Sequence, residues 1–253
     1  MKKLTIVMLT GLMSVSGWSA CTYDFNATQA QISTVFSGFQ KFPNIVGQIA
    51  STTIAATQLN SPLMYVAANG NAITGQSNGS TVPQNGVFAY EYKFKLPATL
   101  LQNKEQMILY PNYADAYYGS KKGQIIVMYA NHLKGSVNPN NVSFVIGSTL
   151  DGATGLIEVP VSGTSDGYQK IGIYVNQDTK QVGVIYNGVN KGYISTNPDK
   201  INSLSFTSGL TYYGIDSLSP NIGKVHSIEL ITDKNQFQFT YPTGTKDICG
   251  NTI

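Results

Sequence analysis

Between Phe88 and Leu96 the chain alternates. Phe88, Tyr90, Tyr92, Phe94 and Leu96 share one face of an extended segment, and Glu91, Lys93 and Lys95 share the other. A period of two marks a strand with one face in a core and one in solvent, as in an antiparallel sheet. Pro97 ends that ladder because it brings no N–H. The same reading predicts strands at 63–68, 106–110, 124–129, 142–146, 156–161, 168–175, 182–186, 204–207, 224–231 and 237–241. Asn-Gly pairs at 69–70, 78–79, 85–86 and 187–188, and Asp-Gly pairs at 151–152 and 166–167, supply the positive φ that tight turns require. Residues 69–86, rich in Gly, Asn and Ser, read as a long surface loop. Helical periodicity is confined to 27–36, with Asn26 as its N-cap, and this segment reads equally well as a loop. Many short strands joined by Gly-rich turns predict an all-β fold with at most one short N-terminal helix. A two-sheet antiparallel sandwich is expected, with a barrel or another jelly roll as the alternative.

One segment is more specific. From Tyr168 to Gly192 the chain runs strand, polar turn, strand, Asn-Gly turn and short return, with Asp178, Tyr186, Asn187, Gly188 and Gly192 at the marked positions. This hairpin resembles the central hairpin of concanavalin A-like sandwiches, the group that includes laminin G, SPRY, pentraxin and legume-lectin-type domains. The resemblance implies a jelly-roll sandwich. The chain as a whole is also similar to a family of secreted bacterial proteins of this length, a likeness that adds location and size only.

The ends of the chain indicate where it works. Lys2 and Lys3 precede a mostly apolar run from Leu4 to Val15, and Gly17, Ser19 and Ala20 follow as small residues. Residues 1–20 therefore read as an export signal, cut after Ser19 or Ala20; the run is too short for a transmembrane helix. Residues 21–253 are then expected to form a single β-sandwich domain, placed in the periplasm, on the cell surface or outside the cell. Cys21 and Cys249 are the only cysteines. Pairing them leaves no odd thiol in an oxidising compartment. A lipid anchor on Cys21 is the alternative.

Composition narrows the partners. The sequence holds 16 lysines and no arginine; Lys2 and Lys3 leave with the signal, so 14 lysines face 13 acids. The mature chain is thus near neutral. It lacks the planar fork that reads phosphate and guanine, so no nucleic-acid partner is expected. Charged residues make up only 11% of the chain, leaving the surface to Asn, Ser, Thr, Gln, Gly and Tyr.

Catalytic signals are weak. The glucanases among concanavalin A-like proteins carry Glu-x-Asp-x-x-Glu on one strand, and this motif is absent; the closest acids, Glu229 and Asp233, read as solvated, as does Glu158. Gly75-x-Ser77-x-Gly79 matches a nucleophile elbow but lacks the strand before it and the helix after it. His132 reads as a turn residue and His226 as exposed on a strand; no Cys/His cluster with zinc spacing exists. No cofactor is expected. Calcium held by Asp151, Asp166, Asp178 and backbone carbonyls stays open, although no Asp-x-Asp-x-Asp loop is present.

The most suggestive segment is 110–122, read as a loop. It gathers Tyr110, Tyr113, Tyr117 and Tyr118 around Asn112 and Asp115, and Tyr212 with Tyr213 forms a smaller second group. Tyrosine offers a flat apolar face for a sugar ring and a hydroxyl to bond it, and serves protein recognition equally well. The function expected is a non-catalytic binding or adhesion module for glycan or cell-surface material. An envelope-associated structural protein without a small ligand and a polysaccharide-acting hydrolase are the alternatives.

Overall fold

The computed structural model describes residues 21–35, 37–56, 63–68, 79–96, 101, 105–119, 121–131, 140–147 and 154–253. Residues 1–20, read as an export signal, residues 69–78 (Ser77 among them) of the segment read as a loop, His132 and Asp151 lie outside them, and the loop reading is corrected at 80–81, which pair with residues 203–204 as a strand.

In chain order the early strands are β1 (Gln40–Lys41), β2 (Asn44–Val46), β3 (Ile49–Thr53), β4 (Met64–Ala67), β5 (Ser80–Thr81) and β6 (Val87–Lys95). The middle of the chain forms β7 (Gln106–Tyr118), β8 (Lys121–Asn131), β9 (Asn140–Gly147), β10 (Thr154–Pro160) and β11 (Tyr168–Asn176). The last third forms β12 (Gln181–Tyr186), β13 (Val189–Thr196), β14 (Ser203–Tyr213), β15 (Val225–Ile231) and β16 (Lys246–Asp247). Two sheets result. Sheet A has the order β1-β4-β14-β7-β8-β9-β10, with β5 also on β14; sheet B has the order β13-β12-β11-β6-β15-β3-β2, with β16 also on β6. All pairings are antiparallel except β1 with β4 and β16 with β6. The expected all-β, two-sheet antiparallel sandwich is what the chain forms.

Alternation places one face of each sheet in a shared core. Tyr90 and Tyr92 of β6 meet Phe206 of β14, with Tyr90 and Phe206 centroids 5.1 Å apart, and Phe144 of β9 lies 6.1 Å from Tyr186 of β12. Rings of this size bury 150–250 Å² each and dominate such an interior. The Asn187-Gly188 turn predicted between β12 and β13 is present, both residues having positive φ, which matches the right-handed twist of a hairpin.

The single α-helix among the described residues, α1 (Gln29–Val35), starts later than expected. Its cap is Thr28, not Asn26. The Thr28 hydroxyl accepts from Gln31 N–H at 3.2 Å and Gln31 Oε1 accepts from Thr28 N–H at 2.8 Å. That is a capping box, which satisfies two orphan donors at once. Ile32 then packs on Ala67 and Tyr65, covering one edge of sheet A's outer face.

On and around sheet B three expectations fail. Residues 237–241 form no strand. They follow a 3₁₀ turn at Lys234–Gln236 and lie as a strap over the outer face of sheet B. Glu91, expected in solvent, is buried under that strap. His226 is buried too. It has the parity of Ile228 and Leu230 on β15, so it points into the sandwich, not outward.

Cys21 and Cys249 are joined by a disulfide. The N-terminal segment is therefore tied to the hook that follows β16. Asp247 shapes this hook: its carboxylate accepts from the backbone N–H of Cys249 at 3.0 Å and of Asn251 at 2.9 Å, and from the Asn251 amide at 2.9 Å.

Candidate functional site

The segment read as a tyrosine-rich loop is a strand. Residues 106–118 form β7, in the middle of sheet A, and the chain returns directly in β8. Strand parity then divides the candidates. Tyr113, Asp115 and Tyr117 point to the outer face, opposite Thr207, Ser205 and Ser203 of β14. Asn112, Tyr118 and Tyr212 point inward and are buried. Tyr118 and Tyr212 belong to the core cluster, and the Asn112 amide donates to Ile125 O at 3.2 Å. These three, expected in the binding group, are interior residues, because strand parity turns them into the sandwich.

Tyr110 and Tyr113 are an odd number of residues apart and would face opposite ways in a regular strand. A register shift between Leu109 and Asn112 prevents this. Pro111 sits in that bulge, where its missing N–H costs no ladder bond. Both rings consequently reach the outer face, with centroids 6.5 Å apart. Tyr213 lies at the same end, near enough for its charge to act on Tyr110.

Lys122 and Gln124 of β8 complete the group. Lys122 Nζ pairs with Asp115 Oδ2 at 2.7 Å and stands over the Tyr117 ring at 5.9 Å. Gln124 donates its amide N–H to the Tyr113 hydroxyl. On the other side Thr207 donates its hydroxyl to Tyr113 O at 2.7 Å, and Tyr65 of β4 lies beyond Thr207. The face is thus a band of tyrosines around one ion pair. Burial pushes the Asp115 carboxyl up while Lys122 pulls it down, and the net direction is up. For Lys122 burial acts downward but the bond and charge of Asp115 outweigh it. Tyr110 and Tyr113 are pushed up by partial burial.

Two polar atoms stand out. Asp115 Oδ1 and Ser205 Oγ, directly across the β7–β14 pair, are buried and have no hydrogen-bond partner among the described residues. Nearly all buried polar atoms are bonded, so such a pair points to a water or a ligand group.

The other candidates do not assemble. Glu229 is paired with Lys93 at 2.9 Å, on the outer face of sheet B. Asp233, read as solvated, is buried and caps the 3₁₀ turn by accepting from Asn235 N–H. Of the calcium candidates, Asp166 is held by Lys170 at 2.8 Å and Asp178 accepts from Gly86 N–H at 3.1 Å. Among the described residues the one trio of His, Cys, Asp or Glu with metal-ligand spacing is Cys21, Asp247 and Cys249, two of which form the disulfide.

The profile described as Domain of unknown function (DUF4882) matches residues 2–251. The chain belongs to the DUF4882 family. No curated protein matches it by sequence. Several solved structures resemble this DUF4882 sandwich. A native glycosidic hydrolase is 11% identical, covering 84% of this chain and 85% of its own, with a TM-score of 0.42. A legume lectin-like domain from Entamoeba histolytica is 10% identical over 75% of this chain and 87% of its own, with a TM-score of 0.41. The β-glucanase of Bacillus licheniformis is 12% identical over 85% and 89%, with a TM-score of 0.38.

Sequence reading had missed Lys122, Gln124, Thr207 and Ser205. Lys122 and Gln124 continue the alternation of 113, 115 and 117 through a tight turn, and that period was the available signal.

Proposed function

We propose that this DUF4882 protein is an exported, non-catalytic binding module that recognises glycan on the outer face of sheet A. The observation that carries the reading is the band of Tyr110, Tyr113 and Tyr117 around the Asp115–Lys122 pair, with Asp115 Oδ1 left without a partner. Half-buried Tyr110 and Tyr113 stack on a sugar ring at small entropic cost, beside the buried Tyr117 ring, and the Asp115 carboxylate accepts from a sugar hydroxyl. The disulfide supports an oxidising compartment. No helix among the described residues is long and apolar enough to cross a membrane.

A paired-carboxylate hydrolase fits less well. Glu158 shares the outer face with Asp115, but register places it three strands away and four residues further along. At about 4.8 Å per strand and 3.3 Å per residue the two are roughly 19 Å apart. Glycoside hydrolysis by two carboxylates needs about 5–9.5 Å.

The test is a glycan array with the disulfide-intact mature protein, repeated with Tyr113→Ala and Asp115→Asn and in the presence of a calcium chelator. One coherent sugar class should bind, each variant should lose at least tenfold in affinity with Tm changed by less than about 3 °C, and chelation should change nothing. A blank array, or binding that survives both variants, would reject this face as a glycan site.

A further inference from the structure

A cleft of about 500 Å³ opens where the loop after β5 faces the C-terminal hook. One wall is residues 81–85 and the other is residues 246–250, with Tyr23 and Cys249 between them. The walls are anchored. Thr81 pairs with Ser203 of β14, β16 pairs with β6, and the disulfide holds the hook to the N-terminal segment.

Three of the groups lining this cleft are donors with no acceptor among the described residues. The Lys246 ammonium has no partner among the described residues, since Asp247 turns its carboxylate into the hook. Asn85 uses its oxygen to accept from Lys200 Nζ at 3.0 Å, and its NH₂ has no acceptor among the described residues. The Tyr23 hydroxyl has only a 3.9 Å contact with Cys249 Sγ. No carboxylate lines the cleft. One uncompensated cation flanked by amide and hydroxyl donors calls for a ligand with one negative charge and several oxygen acceptors. The volume lies within the range of small-molecule sites.

We propose that this cleft binds an acidic saccharide through the carboxylate of a hexuronate unit. Lys246 supplies the charge as a point cation, which suits a singly charged carboxylate; bidentate phosphate recognition would call for arginine. Asn85 and Tyr23 bond the ring hydroxyls. Polar walls favour a sugar over an acidic peptide, whose side chains need apolar subsites. The site is separate from the outer face of sheet A and stands or falls independently of it.

The experiment titrates isotope-labelled mature protein with galacturonate, galactose and glutamate, followed by NMR. Galacturonate should shift resonances of residues 81–85 and 246–250 saturably and bind at least tenfold more tightly than galactose. Lys246→Met should weaken it tenfold or more, and raising salt from about 50 to 300 mM should weaken it severalfold. Tyr113→Ala should leave it unchanged. Binding that ignores Lys246→Met, galactose equal to galacturonate, or no shifts in these two segments would overturn the proposal. Glutamate binding as tightly as galacturonate would also overturn it, and would assign the cleft to acidic peptide.

Discussion

Glu91→Ala is expected to destabilise the fold by about 4 kcal/mol, the cost of stranding several buried donors together. Glu91 sits in the middle of β6 on the outer face of sheet B, between Gly172 of β11 and Ile231 of β15. Its two oxygens accept from Gln238 N–H at 3.0 and 2.9 Å, from Phe239 N–H at 3.1 Å and from the Tyr241 hydroxyl at 3.0 Å. Burial pushes this carboxyl up, and the bonds from Gln238, Phe239 and Tyr241 pull against that shift. Otherwise the strap meets the sheet through apolar contact: Ala89, Tyr174 and Ile185 of the sheet cluster with Tyr241 of the strap. Gly172 makes room, because a Cβ there would come within 2.4 Å of the Tyr241 hydroxyl and 2.8 Å of the Phe239 ring. Removing the carboxylate leaves two N–H groups and a hydroxyl facing apolar surface. Trp18 is the one tryptophan and lies before the described residues, so urea unfolding of residues 21–253 is read by tyrosine near-ultraviolet circular dichroism. A loss below about 1 kcal/mol would show that apolar contact alone seats the strap.

Acid should cost the wild-type protein roughly 3 kcal/mol through His226 alone. The ring lies inside the sandwich, with Nδ1 3.0 Å from Lys95 O and Nε2 buried without a partner. The Nδ1 proton is assigned by that carbonyl, which can only accept. Burial lowers the pKa from 6.5 to about 4, and the Lys95 carbonyl opposes this only in part. The folded state therefore binds the proton more weakly than the unfolded one. The stabilisation is complete above 6.5 and is lost as pH falls towards 4. His226→Leu removes the titration, so wild-type stability should fall relative to the variant across that window. Carboxylates titrate there as well, but they do so in both proteins. Parallel stability curves from pH 7 to pH 4 would contradict a buried neutral His226.

The alternation of β6, the hairpin of β11 and β12, and the Asn187-Gly188 turn between β12 and β13 were legible because each is a local pattern. Period-two alternation and a positive-φ dipeptide report directly on backbone geometry. The candidate site was half legible. Tyr113, Asp115 and Tyr117 stand at a strand's spacing, but Pro111 and the surrounding polar residues gave the segment a loop's composition. Only the pairing of β7 with β14 and β8 shows that it is a strand, and only the bulge at Pro111 brings Tyr110 to the same face. Glu91 and His226 were misread for one reason. Alternation tells which residues share a face, but not whether something covers that face.

The sequence alone determined the class of this protein: strands with one apolar face must pair and stack, and two cysteines at opposite ends can join only if those ends meet. Tertiary structure decided how each outward face is covered. The strap from Phe237 to Tyr241 closes one side of sheet B over Glu91, while the tyrosine band of sheet A keeps an unpaired carboxylate oxygen. That outcome depends on contacts between residues some 150 positions apart, which no local period encodes.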